Sequence, residues 1–153
     1  MVAWDVAEVQ AAELTADLVQ LACIKERFRR PRGFGCNQGY QPPLIFHTDN
    51  GNATRGPTLE SRVAEIGVLR FFSRPRVSND NPYSESLFRT IKYRHEYPNR
   101  PFGNTGEACT WVVAFVYWYN HQHRQSSIKF VTPHQRHCSQ AIESCQRRTK
   151  VYN

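Results

Sequence analysis

The pattern of apolar and polar positions along the chain predicts short strands that alternate with helices. Residues 2–6 have the composition of a short strand. From residue 8 to residue 26, apolar side chains recur at helical spacing, which predicts an amphipathic helix. The recurring residues are Val9, Leu14, Leu18, Leu21 and Ile24.

A strand–helix–strand pattern follows in residues 44–72. Residues 44–46 are an apolar run that predicts a buried strand. Residues 58–66 predict a short helix that ends at Gly67, and residues 68–72 predict the next strand. The apolar face of this helix comprises Leu59, Val63 and Ile66. A strand, a helix and a strand in this order indicate a parallel pair of strands and hence an α/β fold.

The second half of the chain is predicted to be helical. Asn81 is expected to cap a helix whose first residue is Pro82, which is a favoured arrangement. A long helix is predicted from about residue 104 to about His121, and one further short helix from Thr132 onward. The apolar side of the long helix comprises Trp111, Phe115, Trp118 and Tyr119.

Two carboxylates stand at the ends of these predicted elements. Asp49 follows the apolar strand, and Glu85 lies in the first turn of the helix that begins at Pro82, with 35 residues (50–84) between them. Carboxylate oxygens suit hard divalent cations. Two such cations about 3.5–4 Å apart can activate the nucleophile and stabilise the leaving oxygen of a phosphodiester. Taken singly, Asp49 is explained as a turn residue and Glu85 as a helix-dipole partner, while nearby Asp80 is interpreted as a loop residue.

Several short motifs occur in order along the chain. They are HTDNG at residues 47–51, FSRP at 72–75, SNDNPYSES at 78–86, WYN at 118–120, Arg124 and TP at 132–133. In this order they resemble bacterial insertion-sequence transposases with a retroviral-integrase-type catalytic core. The resemblance implies a ribonuclease-H-like fold in which Asp49 and Glu85 are catalytic and bind Mg²⁺ or Mn²⁺.

The resemblance also implies that the core is incomplete in these 153 residues. In the family a third carboxylate, an Asp on the first strand, lies well upstream of the position of Asp49, whereas this chain begins at what resembles the third strand. Residues 1–137 are therefore expected to be a partial catalytic core without its first two strands, followed by a tail at residues 138–153. Asp5, close to the first helix, is interpreted as an exposed strand residue. The isolated chain is then expected to be inactive in strand transfer and to bind a metal weakly or not at all.

The positive charge of the chain favours DNA as a partner. A formal net charge of +7 and a pI of about 9.4 suit a polyanion. The resemblance implies that Lys92, seven positions after Glu85, contacts the DNA end, and Arg89, Arg74 and Arg76 are further candidates. Arg89 has an alternative role in an i, i+4 ion pair with Glu85, and Lys92 has one as a solvated helix residue.

Other sequence patterns argue against a membrane protein, a disulfide-rich protein, a dinucleotide-binding protein and a zinc protein. No segment has the roughly 20 apolar residues that span a bilayer, and five cysteines without a CxxC pair fit a reducing bacterial cytoplasm better than a disulfide framework. Residues 27–41 are predicted to be a loop, whose glycines have neither the spacing nor the preceding strand of a dinucleotide-binding motif. The histidines and cysteines between residues 121 and 145 match no zinc-site spacing.

The leading interpretation is a transposase core that cleaves and joins DNA during transposition. Its partners would be the DNA of the element ends and of the target and, in the full-length family, further copies of the same chain. No membrane partner is expected. Two alternatives stay open, namely a non-catalytic remnant that binds DNA weakly and a related metal-dependent DNA nuclease.

Overall fold

The computed structural model describes residues 1–26, 28, 44–48, 56–73 and 82–152, with side chains as far as residue 150. Its helices and strands are α1 (Ala12–Lys25), β1 (Ile45–Thr48), α2 (Pro57–Glu65), β2 (Leu69–Phe72), α3 (Pro82–Lys92), α4 (Thr105–His121), α5 (Pro133–His137) and α6 (Ala141–Tyr152), with a 3-10 turn at Ser126–Ile128. The chain divides into two units, residues 2–99 and residues 100–153 with Met1. None of the helices in the described ranges is long and apolar enough to cross a membrane. The loop predicted at residues 27–41 lies outside these ranges, except for Phe28.

In the unit of residues 2–99, α1 packs against α2 and forms the core with it. The buried residues are Ala16, Val19, Cys23, Leu59, Val63 and Val68. Gly56, which precedes α2, brings the two helices together, because a Cβ at this position would lie only 2.8 Å from the Cβ of Ala12. The helix predicted at residues 58–66 and its apolar face are confirmed.

The helix predicted at residues 8–26 is also confirmed, although it begins at Ala12. The prediction of its buried face is wrong. Ile24 is exposed, whereas Ala16, Val19 and Cys23 face the core. The reason is that α1 is apolar on more than one side, and its smaller residues permit the close approach at Gly56.

Helix α2 ends where the sequence predicts, at Gly67. This residue has a positive φ of 76°, which glycine adopts at no steric cost. The N–H of Gly67 donates to the carbonyl of Ala64 at 3.0 Å, and the N–H of Val68 donates to that of Val63 at 3.1 Å. These two bonds form a Schellman motif, which satisfies the last carbonyls of α2 and leads the chain directly into β2.

Strands β1 and β2 pair in parallel, with Ile45 opposite Leu69 and Thr48 opposite Phe72. This pairing confirms the parallel strand–helix–strand unit and the mixed α/β class that the sequence predicts.

The prediction of a buried strand at residues 44–46 is wrong. Leu44 is 43% exposed and Ile45 is 61% exposed. Side chains alternate between the two faces of a strand. Phe46 packs against the helical core, so in the described part of the chain α1 and α2 cover its face of the sheet and leave that of Ile45 uncovered.

The strand predicted at residues 2–6 is not found either. These residues have no regular secondary structure, and the sheet of the described residues consists of β1 and β2. A strand needs a neighbour for its backbone hydrogen bonds, and a local apolar pattern does not supply one.

In the unit of residues 100–153, α4 is the longest helix and begins as predicted. The side chain of Asn104 accepts a hydrogen bond from the N–H of Glu107 at 2.8 Å, which caps the helix. Phe115 is 2% exposed and is the centre of the aromatic side of the helix. Its ring contacts those of Trp111, Trp118 and Tyr119 at centroid distances of 5.3, 5.9 and 5.7 Å. The predicted apolar side is confirmed.

The tail from Thr132 onward holds two helices, where the sequence pattern predicts one. Helix α5 begins with a capping box, in which the Thr132 hydroxyl accepts from the N–H of Gln135 at 3.2 Å and the Gln135 side chain accepts from the N–H of Thr132 at 3.1 Å. Ser139 then adopts a left-handed φ of 60°, which separates α5 from α6. A single residue in this conformation is enough to turn one predicted helix into two.

Candidate active site

The carboxyl ends of β1 and β2 lie side by side, next to the chain position of Asp49. Thr48 is the last residue of β1 and directly precedes Asp49, while Ser73 directly follows β2. The backbone N–H of Ser73 donates to the carbonyl of Thr48 at 2.9 Å. This bond fixes the point at which the chain leaves β1. The carboxyl ends of parallel strands are also the edge of a sheet at which ligands bind in open α/β folds.

A small polar network surrounds this point. The Ser73 hydroxyl donates to the carbonyl of Thr48 at 3.3 Å and lies 3.0 Å from Nε2 of His47. The His47 ring also meets the ring of Phe71 edge-on, with 5.2 Å between centroids. These contacts hold the end of β1 in place immediately before Asp49.

Helix α3 presents three of the predicted site residues on one exposed face. It begins at Pro82 as predicted, and none of its residues is buried. At 3.6 residues per turn, Glu85, Arg89 and Lys92 lie on the same side, and all three are exposed. Leu87 and Ile91 lie on the other side and are half-buried. The structure therefore brings Glu85, Arg89 and Lys92 together. The predicted cap Asn81 lies outside the described residues.

The ion pair considered for Arg89 is not formed. Across the residues that the structure describes, no hydrogen bond or ion pair joins Arg89 to Glu85. The Arg89 guanidinium instead lies over the ring of Tyr93, 5.9 Å from its centroid. The carboxylate of Glu85 is consequently left available to a ligand.

The other predicted site residues lie outside the described ranges. They are Asp49, Arg74 and Arg76, and the roles assigned to them stay predictions, as does the interpretation of Asp80. Within the described ranges, no group of three or more His, Cys, Asp or Glu residues could hold a metal ion. Glu85 nevertheless supplies an exposed oxygen ligand of the type that Mg²⁺ and Mn²⁺ take.

The histidines and cysteines of the second unit approach one another in pairs. The rings of His121 and His134 are 4.5 Å apart, and Sγ of Cys138 lies 3.8 Å from Nε2 of His134. They do not form a metal-binding group of three or more within the part of the chain that is described.

Two aromatic residues of this region were not predicted as site residues. Phe88 and Tyr93 are both exposed and lie beside the charged residues of α3. The signal that identifies them is their spacing, three and eight positions after Glu85, which places them about 60° and 80° to either side of Glu85 around a helix.

Known proteins resemble the chain over two overlapping stretches. Residues 67–133 match the family model of the integrase core domain, and this range contains Glu85, Arg89 and Lys92. Over 134 residues the chain is 25% identical to the transposase for insertion sequence element IS904 of Lactococcus lactis subsp. lactis (strain IL1403). The chain is thus similar to bacterial insertion-sequence transposases with an integrase-type core. The recognition made from the motifs is thus confirmed.

The similarity does not extend over the whole of this relative. The alignment covers 87% of the chain and 48% of the IS904 transposase, so the chain spans about half the length of that protein.

Proposed function

We propose that this integrase core acts on the phosphodiester backbone of DNA during transposition, cutting or joining strands at the ends of a mobile element. One observation carries the proposal. The range that matches the integrase core domain contains Glu85, whose carboxylate is exposed and without an ion pair in the described part of the chain.

Asp49 and Glu85 are the proposed catalytic and metal-binding residues. Asp49 follows the strand end that Ser73 holds through the carbonyl of Thr48. Glu85 stands in the first turn of α3, where a negative charge is favoured. Mg²⁺ or Mn²⁺ bound by these two carboxylates would stabilise the charge that develops on the reacting phosphate.

The basic residues near these carboxylates are the proposed DNA contacts. Arg89 and Lys92 share the exposed face of Glu85 and would bind phosphate oxygens beside the reacting bond. Arg74 and Arg76 precede α3 in the sequence and would bind the backbone further along.

The wider architecture is part of the same proposal. We infer a ribonuclease-H-like core within residues 1–137, followed by a tail at residues 138–153, that works with DNA and with further copies of the chain in the bacterial cytoplasm. The 153-residue polypeptide by itself is expected not to catalyse strand transfer.

The test measures DNA binding and strand joining by the purified 153-residue polypeptide. Labelled DNA ends are titrated at low and at physiological salt, and are then incubated with Mg²⁺ or Mn²⁺. We expect affinity to fall steeply with salt, because basic residues that bind phosphates release counterions. Lys92→Ala should weaken binding, and Lys25→Ala, which removes an exposed lysine from α1, is the matched control. No joined products are expected.

Two results would contradict these expectations. Affinity that does not depend on salt, or equal losses in Lys92→Ala and Lys25→Ala, would argue against DNA binding through α3. Joined products that disappear in Glu85→Gln would overturn the expected inactivity of the polypeptide, and would assign the chemistry to Glu85.

A further inference from the structure

The exposed face of α3 carries two large aromatic side chains beside its charged residues. Phe88 is 59% exposed and Tyr93 is 83% exposed. The N–H of Tyr93 donates to the carbonyl of Arg89 at 3.0 Å, so the helical path continues as far as Tyr93. Around the helix, Glu85 and Lys92 therefore lie between Phe88 on one side and Arg89 with Tyr93 on the other.

The third exposed aromatic residue of this helix lies elsewhere. Tyr83 is 84% exposed, but it stands two positions before Glu85, which turns it roughly 160° away from that residue. Exposure alone thus does not distinguish Phe88 and Tyr93. Their position does, because they flank a carboxylate and two cations.

The positive charges on this face can bind the phosphates of any DNA, whereas the aromatic rings favour DNA with unpaired bases. Within a duplex the faces of the bases are covered by their stacked neighbours, and a blunt end offers only the outer face of its last base pair. Unpaired bases offer free faces, and their stacking on aromatic side chains tolerates any sequence. Arg89 lies over Tyr93, and an arginine in this position can add a cation–π contribution to such stacking.

The two rings are separated both along and around the helix. Phe88 and Tyr93 are five residues apart, which is about 7.5 Å along the helix axis and about 140° around it. They therefore flank Glu85 and Lys92 and would meet different nucleotides of a strand that crosses this face.

We propose that Phe88 and Tyr93 stack against unpaired nucleotides at the DNA end, while Arg89 and Lys92 bind the phosphates between them. This inference rests on the proposed function, since it takes the face around Glu85 to be the one that meets DNA. It adds a substrate preference, namely an end whose last nucleotides are unpaired over a blunt duplex end.

The experiment compares two labelled DNA molecules of one sequence, a blunt duplex and a duplex with a two-nucleotide single-stranded extension that contains 2-aminopurine. Fluorescence anisotropy gives the affinity of the full chain for each, and quenching of 2-aminopurine reports stacking of the extension. We expect tighter binding of the extended DNA. Phe88→Ala and Tyr93→Ala should each lower this preference about fivefold or more, which is the lower end of what one base–aromatic contact contributes.

Three variants serve as controls. Phe88→Trp should keep both the preference and the quenching, because it retains a stacking surface. Tyr83→Ala removes an equally exposed ring from another side of α3 and should change neither. Lys92→Ala should weaken binding of both DNA molecules, since it removes a phosphate contact. Far-UV circular dichroism confirms that each variant is folded.

The outcomes separate this inference from the proposed function. Equal affinity for extended and blunt DNA overturns the stacking inference, as do equal effects of Tyr83→Ala and Phe88→Ala. The proposed function fails instead if Lys92→Ala has no effect on either DNA and the affinity does not change with salt.

Discussion

Truncating one leucine in the core and one on the open face of the sheet tests how the unit of residues 2–99 is built. Leu59 is 0% exposed in the core between α1 and α2, whereas Leu69 on β2 is 55% exposed. Leu59→Ala removes buried apolar surface and leaves a cavity, which costs about 3–5 kcal/mol at a fully enclosed site. In Leu69→Ala about half of the lost surface is already in water, so the cost is expected to be about 1 kcal/mol or less. Against a typical total of about 5–15 kcal/mol, the first change removes much of the stability and the second does not.

Urea denaturation followed by far-UV circular dichroism measures both effects. With a slope of about 1–3 kcal/mol per molar urea, the Leu59→Ala midpoint should fall by about 1 M or more, while Leu69→Ala should shift it by a fraction of that. Both variants make the same chemical change, and the large difference in burial outweighs the smaller difference in helix and strand propensity of alanine. Equal shifts would refute the reasoning, since they would mean that the face of β2 bearing Leu69 is covered in the folded protein.

Two further predictions concern single side chains. The hydroxyl of Thr48 is buried without a hydrogen bond in the described part of the chain. Thr48→Val should therefore leave the free energy of unfolding unchanged or raise it by up to about 1 kcal/mol. A clear loss of stability in the same urea experiment would show that the hydroxyl has a partner. Burial raises the pKa of the Cys23 thiol, so at neutral pH iodoacetamide should modify exposed Cys138 well before Cys23, as followed by peptide mass spectrometry. As the pH rises through the ordinary thiol pKa, the unfolded chain loses this proton first, and stability should fall. Modification of Cys23 as fast as that of Cys138 would contradict its burial.

Short-range sequence signals were sufficient for the limits of several elements. Gly67 ends α2 because glycine adopts a left-handed φ freely, and Pro82 begins α3 because its φ and its missing N–H suit a first helical turn. Asn104 begins α4 because its side chain reaches the N–H three residues later. Each of these signals acts within a few residues of the chain. The order of the short motifs was likewise sufficient to recognise the integrase core, because it needs no knowledge of contacts.

Helical spacing was sufficient to predict which site residues share one face of α3. Glu85, Arg89 and Lys92 share one exposed face of α3, as their spacing of three, four and seven positions requires. The partner of Arg89 did not follow from spacing, since Glu85 and Tyr93 stand four positions before and after it. The side-chain conformation selects the ring of Tyr93.

Other features were decided only by the tertiary structure, because they depend on contacts between distant parts of the chain. The hydrogen bonds of Ser73 with His47 and Thr48 join residues 26 and 25 positions apart, and they require the register of β1 against β2. Whether Ile45 is buried depends on which face of the sheet the helices cover, and whether residues 2–6 form a strand depends on a neighbour to pair with. An apolar pattern states that a side chain favours burial. Which surface buries it is settled by the packing of other elements, because the hydrophobic effect is non-directional and selects no particular partner.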